Sequence, residues 1–295
     1  MDGVPGGPDG TEIDLASVLV DLALLLAVPV GLLSVQVLLS AGAHQSITFY
    51  PRSPTPLARI GHAYVHFSTA ALFQNLLGYG ILAALAYLFA AAVGARRWFR
   101  FSLLTVLVVV PLASAVGDQY LLVGTVRGRV AVRGFSAIVA ALGGLVLVSY
   151  LALVRRALDP RAAGVVGVAF PAGIVATIEA TYRSVDSTAT ALLALAAVAV
   201  LVLEAGSRLA QGGWRRTPRG PVAIAAVLGV LVAGVMMALL GGLFPPDPFG
   251  GETYTNVYSH ALGFAAGVVI GVWGHRYWSP VDWGPGPGRS DGSNS

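Results

Sequence analysis

Residues 134–155 read GFSAIVAALGGLVLVSYLALVR, a stretch that is apolar apart from two serines, a tyrosine and the closing arginine. About 20 helical residues cross the ~30 Å hydrocarbon layer of a bilayer, so this stretch predicts a membrane-spanning helix. Each helical residue turns the chain by ~100°, which puts Ser136, Ala140 and Gly143 on one face. The pattern predicts a membrane helix with a narrow, small-residue face that begins at a serine.

A second stretch of the same kind begins near residue 257 and continues to about residue 277. Its small face holds His260, Gly263 and Gly267, with the spacing GxxxG between the two glycines. Small residues let two membrane helices approach closely. Ser136 on one helix and His260 on the other could then meet as nucleophile and general base. The alternatives are a serine that only packs and a histidine bonded to a backbone carbonyl near the membrane interface.

The composition predicts the class of protein. Hydrophobic residues make up 56% of the 295 residues and charged residues only 11%, which is too apolar for a soluble domain. We expect an all-α, multi-pass membrane protein with about eight transmembrane helices. The predicted spans lie near residues 14–41, 62–94, 98–122, 134–155, 162–181, 188–208, 220–243 and 257–277.

The expected domain organisation is one transmembrane domain over residues 14–278 between two short tails. Residues 1–13 are acidic and rich in glycine and proline, and they lack the basic start of a signal peptide, so we expect no cleavage there. Residues 279–295 have a linker-like composition that predicts a disordered C-terminal tail.

The absence of cysteine and lysine limits the catalytic mechanisms that the chain can use. The chain has no cysteine, which excludes disulfides, thiolate nucleophiles and cysteine-bound metals. It also has no lysine, which excludes a Schiff base and a serine–lysine pair. A general base must therefore come from the five histidines or from the 14 acidic residues.

The arginines predict the orientation in the membrane. With a cytoplasmic N-terminus, 12 of the 18 arginines fall in inner loops, so we expect both termini in the cytoplasm of a cell-membrane protein. Arginines at helix ends also favour a lipid partner over nucleic acid. Ser136 and His260 then lie at the outer ends of the fourth and eighth spans. Three spans separate these helices, so they run parallel and hold both residues at one depth.

The second predicted span carries further polar residues. His62 and His66 are four residues apart, like metal ligands on a helix, but Ala63 stands where a zinc protease has its glutamate, so we expect no metal. Asn75 is nine residues after His66 and would face the opposite side of the helix. A buried amide at Asn75 could donate to a developing oxyanion.

The order of these motifs, HxxxHFS and FxN, then GFS, then SHxxGxxxG, resembles the rhomboid family of intramembrane serine proteases. The resemblance implies a rhomboid-like helical bundle, with a six-helix core and two extra helices. It implies Ser136 as the nucleophile, His260 as general base and acid, and an oxyanion hole formed by Asn75 and the backbone N–H of Ser136. Supporting roles fall to His66, Gly134, Gly263 and Gly267.

The activity implied by the resemblance is cleavage of transmembrane or juxtamembrane segments of membrane proteins by a serine–histidine dyad without a cofactor. Residues 244–256 precede the histidine helix and contain Gly250 and Gly251, which could serve as a hinge. By the same resemblance this segment is a candidate lid over the site. The alternative is an ordinary outer loop. Transport is a remote alternative, motivated by Asp21, Glu179 and Glu204 in or near the spans.

Three positions depart from the common family pattern. Ala137 follows the nucleophile where the family has glycine, Ala71 stands where a second oxyanion histidine is frequent, and Ala140 replaces an aromatic residue that stacks on the histidine. These departures leave a second possibility open, a catalytically inactive rhomboid-like protein that binds membrane clients.

Overall fold

The computed structural model describes residues 15–125, 130–158, 163–169, 172–173, 219–243 and 255–278. Its helices are α1 (Leu15–Leu38), α2 (Ala41–Ser46), α3 (Pro56–Gly61), α4 (Thr69–Ala92), α5 (Arg96–Thr125), α6 (Ser136–Ala157), α7 (Arg219–Leu243) and α8 (Val257–Trp278). A 3-10 turn at His62–Tyr64 follows α3, and residues 163–169 are also helical. One isolated antiparallel bridge joins Phe49 to Val132.

Five helices of the described chain are long and apolar enough to cross a membrane. They cover Leu15–Leu38, Thr69–Ala92, Arg96–Val123, Ser136–Ala157 and Val257–Tyr277. The protein is therefore all-α, and these helices indicate a multi-pass membrane protein.

The remaining three predicted spans and the two tails are not seen as full membrane-spanning helices or lie outside the described residues. The apolar part of α7, Val227–Leu243, is shorter than a full span. The predicted span at 188–208 and both tails lie outside the described residues, and most of the span at 162–181 does too.

The second predicted span begins later than expected, and the expectation of a helix from residue 62 is wrong. The side chain of Ser68 accepts a hydrogen bond from the N–H of Ala71 at 3.2 Å and so caps α4, which starts at Thr69. His62 lies in the 3-10 turn and His66 in the link that precedes the cap. The two histidines therefore do not share a helix face, and helical rotation does not relate His66 to Asn75.

Helix α6 forms the centre of the bundle. Sixteen of its 22 residues are buried inside the protein, against two of the 24 residues of α1. Helix α6 packs against α4, α5, α7 and α8, and α8 also packs against α5. Helix α6 is apolar on every side, as expected of a helix that lies among other helices within a membrane.

Polar contacts join helix α1 to the bundle, in addition to the packing of Leu32 in the core. Asp21 is fully buried and forms ion pairs with Arg96 and Arg100 at the start of α5. The hydroxyl of Tyr87 donates to the same carboxylate at 3.1 Å, and the hydroxyl of Tyr79 donates to the carbonyl of Leu25 at 3.0 Å. Asp21, which motivated the transport alternative, is thus engaged in an ion-paired cluster.

Candidate active site

Ser136 is the first residue of the central helix α6, and a sharp turn of the backbone at Gly134 precedes it. Gly134 has a φ of +128°, a conformation that side chains other than hydrogen rarely allow. Its N–H donates to the carbonyl of His62 at 2.9 Å. The next N–H, of Phe135, donates to Nε2 of His66 at 3.4 Å, so the 62–66 segment holds the chain just before Ser136.

His66 thus contacts the backbone just before Ser136, from the link that precedes α4 and not from a helix as expected. It is buried, and burial lowers the pKa of His66 to about 4, as it also does for His62. A neutral imidazole has one ring nitrogen that accepts, which is what the Phe135 N–H requires. The other ring nitrogen of His66, Nδ1, is buried without a hydrogen-bond partner among the described residues.

His260 lies within hydrogen-bonding distance of Ser136, with Nε2 at 2.8 Å from the serine Oγ. Its Nδ1 is 2.6 Å from the carbonyl oxygen of Leu243, the last residue of α7. A carbonyl only accepts hydrogen bonds, so Nδ1 carries the proton and Nε2 is left to accept the Ser136 hydroxyl hydrogen. This tautomer is the one that a general base for a serine nucleophile needs.

The two residues differ in access. His260 is 4% exposed, whereas Ser136 is half-buried. The serine hydroxyl is therefore the part of the pair that a ligand reaches first, with the imidazole shielded behind it. Exclusion of water around the imidazole strengthens its hydrogen bonds to both partners.

Glycines on α8 bring its backbone against that of α6. A Cβ at Gly263 would clash with the carbonyl of Ala137, and a Cβ at Gly267 would clash with the carbonyl of Ala141. The contacts advance together along both helices, so α6 and α8 run parallel. Their close approach is what allows the short Ser136 side chain to reach His260.

The small-residue face of α6 that meets α8 is shifted by one residue from the predicted one. The contacting positions are Ala137, Ala141 and Gly144, and a Cβ at Gly144 would lie 2.5 Å from the carbonyl oxygen of Phe264. Gly143 instead faces Leu239 of α7 and the ring of Phe264. Helix α6 has other helices on several sides, so the predicted face with Gly143 contacts α7 as well as Phe264.

The first turn of α6 offers N–H groups beside the serine hydroxyl. The N–H groups of Ile138 and Val139 both donate to the carbonyl of Phe135 at 3.0 Å. Those of Ser136 and Ala137 precede any residue that can bond back within the helix. The positive end of the helix dipole adds to their effect on a nearby negative charge.

Asn75 is brought to the level of Ser136 by the packing of α4 against α6. A Cβ at Gly78 would lie 2.8 Å from Cγ1 of Val139. The ring contacts of Tyr79 with Phe135 and of Phe89 with Tyr150 advance along both helices, so α4 and α6 run in the same direction. Asn75 and Ser136 lie three residues before Gly78 and Val139, respectively. One amide hydrogen of half-buried Asn75 donates to the carbonyl of Ala71 at 2.9 Å, and the amide group carries a second hydrogen.

The structure also contains polar groups near the pair that sequence patterns did not indicate. The carbonyl of Leu243 is one, because a backbone acceptor leaves no sequence signal. Asp118 is another: it is buried on α5 and bonds to Ser259, the residue before His260. An acidic residue inside an apolar span was the available signal for Asp118.

Several residues named in the sequence analysis lie outside the described residues. They are the candidate lid, apart from its last two positions 255 and 256, its hinge at Gly250 and Gly251, and the acidic residues Glu179 and Glu204. Within the described ranges, no three histidine or acidic side chains gather as a metal site would require.

The arrangement as a whole pairs a serine hydroxyl with a correctly protonated imidazole, beside N–H groups at a helix N-terminus. Comparison of the chain with protein-family models, with curated proteins and with solved structures finds no match.

Proposed function

We propose that this protein is an intramembrane serine endopeptidase of the rhomboid type, with a catalytic dyad of Ser136 and His260. The observation that carries the proposal is the 2.8 Å contact between Ser136 Oγ and His260 Nε2, with Nδ1 bound to the Leu243 carbonyl. A serine, a base and a third group that orients the base form the arrangement used for serine activation. Here the third group is a backbone carbonyl instead of a carboxylate.

In the first half of the reaction, the Ser136 oxygen attacks the scissile carbonyl carbon while His260 Nε2 takes the hydroxyl proton. The carbonyl oxygen becomes an oxyanion, which the N–H of Ser136 and the amide of Asn75 stabilise. The C–N bond then breaks, and the imidazolium returns its proton to the leaving amine. The products are a free amine segment and an acyl ester on Ser136.

In the second half, water replaces the amine. His260 Nε2 takes a proton from the water as it attacks the ester, and the proton then passes to the Ser136 oxygen as the acid leaves. Leu243 contributes throughout, because its carbonyl accepts the Nδ1 hydrogen and holds the ring in place when the imidazole is positively charged.

The proposed substrates are transmembrane or juxtamembrane segments of membrane proteins. An intact helix hides its carbonyls in internal hydrogen bonds, so the segment has to unwind locally before Ser136 can attack. The bias of 12 of 18 arginines supports cytoplasmic termini and a site at the outer ends of α6 and α8.

A second candidate function is client binding without cleavage. It is favoured by Ala71, which removes one side-chain donor from the oxyanion region, and by Ala140, which leaves no aromatic ring at that position of α6. One oxyanion donor accounts for a factor of ~10²–10³ in rate, so a protein with fewer donors is a slower enzyme or none.

The purified protein in lipid vesicles, incubated with a panel of fluorescently tagged transmembrane segments, distinguishes the two functions. We expect cleavage by the wild type and none by Ser136→Ala or His260→Ala. Ser149→Ala is the matched control: Ser149 is buried on the same helix, and its hydroxyl donates to the Leu145 carbonyl at 2.8 Å.

Cleavage that persists in Ser136→Ala would overturn the proposed nucleophile. Binding of the panel without cleavage by the wild type would favour the client-binding function. Loss of cleavage in Ser149→Ala would show that the assay responds to any change in α6, and the dyad would lose this support.

A further inference from the structure

Helix α5 places a buried carboxylate against the first turn of α8, the turn that carries His260. Asp118 has no exposed surface. Its Oδ1 accepts a hydrogen bond from Nδ2 of Asn256 at 2.6 Å and one from the hydroxyl of Ser259 at 2.7 Å. Both donors lie within four residues of His260 along the chain.

These contacts continue into the backbone of the first turn. Oδ1 of Asn256 accepts a hydrogen bond from the N–H of Ser259 at 3.2 Å and caps the helix. The N–H of His260 donates to the carbonyl of Asn256 at 3.3 Å. Asp118 therefore bonds to the residue that caps α8 and to the residue that precedes the base.

The packing next to Asp118 shows that α5 and α8 meet closely here. A Cβ at Gly117 would clash with the side chain of Leu262. Among the described residues, Asp118 forms no ion pair, and its second oxygen, Oδ2, is buried without a hydrogen-bond partner. Burial of a carboxylate without a cation costs free energy, which only hydrogen bonds can offset, and both of those that Asp118 accepts come from the first turn of α8.

Direct participation in a triad does not fit the geometry. The nitrogen of His260 that a triad carboxylate would contact, Nδ1, bonds to the Leu243 carbonyl instead. The hydrogen bonds of Asp118 that lead toward His260 go to Ser259 and Asn256.

We propose that Asp118 is a positioning residue, which fixes the depth and rotation of the first turn of α8 so that His260 Nε2 meets Ser136. This inference rests on the proposed serine protease function. It makes a prediction of its own: Asp118 acts through two hydrogen bonds to Oδ1 and not through its charge. An amide oxygen at position 118 should therefore serve nearly as well as the carboxylate.

The test measures how fast a fluorophosphonate probe labels the protein, with the maximal rate and the half-saturating probe concentration determined separately. We expect Asp118→Ala to lower the maximal rate by at least about tenfold, because a misplaced base slows the reaction at any probe concentration. Asp118→Asn should stay within about threefold of wild type, since its oxygen accepts the same two hydrogen bonds. Ser259→Ala, which removes one of them, should fall between these values.

Ser114→Ala is the matched control on α5. Ser114 is buried one turn before Asp118, and its hydroxyl donates to the carbonyl of Pro111 within its own helix. The maximal labelling rate of Ser114→Ala should equal that of the wild type. The thermal unfolding midpoint of each variant is measured alongside, and if Asp118→Ala does not fold, Ser259→Ala decides the outcome.

Wild-type maximal rates in Asp118→Ala, or in Ser259→Ala where that variant decides, would overturn the positioning role and leave the dyad intact. An Asp118→Asn variant as slow as Asp118→Ala would also overturn it, because the charge would then be what matters. Absence of labelling in the wild type, or equal labelling of Ser136→Ala, would instead contradict the proposed function and this inference with it.

Discussion

The Nδ1 atom of His260 lies 2.6 Å from the carbonyl oxygen of Leu243, which joins the first turn of α8 to the last residue of α7. This contact determines the tautomer of His260 and so makes Nε2 an acceptor for Ser136. Because the orienting group is backbone, no side-chain substitution at position 243 removes it directly. The activity should therefore depend on how α6, α7 and α8 pack.

Gly263→Ala tests the packing of α6 against α8. The new methyl group would clash with the Ala137 carbonyl, so the helices have to separate. We expect the free energy of unfolding to fall by about 1–3 kcal/mol, the usual effect of overpacking, and peptide cleavage to fall with it. Thermal and denaturant unfolding in detergent measure the change. Gly234→Ala on α7, where a Cβ has open space, should not lower the free energy of unfolding, and equal losses in both variants would contradict the close contact.

Asn75→Ala tests the side-chain contribution to the oxyanion hole. We expect kcat for cleavage to fall by ~10²–10³ with little change in KM, because the oxyanion exists only after attack. Steady-state kinetics on a cleaved transmembrane segment measure both constants. Gln74→Ala, an exposed neighbour on the same helix, is the control. An unchanged kcat in Asn75→Ala would remove Asn75 from the mechanism.

The buried histidines 62 and 66 predict acid sensitivity of the folded state. Burial lowers the pKa of each to about 4 from an unfolded value near 6.5, so the unfolded chain binds more protons between these values. Stability should be full above pH ~6.5 and fall as the pH drops toward 4. The thermal midpoint as a function of pH measures this dependence. His66→Asn keeps an acceptor for the Phe135 N–H but does not titrate, so its curve should be flatter, and an identical curve would contradict burial of a neutral His66.

Asp21→Ala tests the ion-paired cluster that holds α1. The substitution leaves Arg96 and Arg100 without their shared carboxylate, and removal of one partner from a buried pair typically costs about 3–5 kcal/mol. Because both arginines are partly exposed, we expect an effect at the low end of that range. Unfolding and limited proteolysis of α1 measure it. Arg97→Ala, an exposed neighbour, is the control, and a wild-type stability in Asp21→Ala would contradict the anchoring role.

The sequence predicts the central features of the site because they follow local rules. Apolar length predicts α6 and α8, and glycine spacing predicts that α8 packs closely against another helix. The start of α4 follows from Ser68, a favoured capping residue, which the predicted span from residue 62 overlooks. The resemblance alone implies a supporting role for His66, and helix periodicity does not describe its position.

The remaining features depend on tertiary contacts that spacing does not encode. Which small face of α6 meets α8 is decided by all its neighbours together, so the contact falls on Ala137 and Ala141 and not on Ala140. Asp118 is far from His260 along the chain, and only the packing of α5 against α8 brings them near. The Leu243 carbonyl has no side-chain signature at all.

The most direct test of the dyad is the site at which a fluorophosphonate attaches to the protein. The probe reacts with a serine only when a base activates its hydroxyl. Peptide mass spectrometry of the labelled protein should find one phosphonate, on Ser136, with labelling lost in His260→Ala and retained in Ser149→Ala. Attachment to another serine, or a wild-type protein that takes up no probe, would contradict the account.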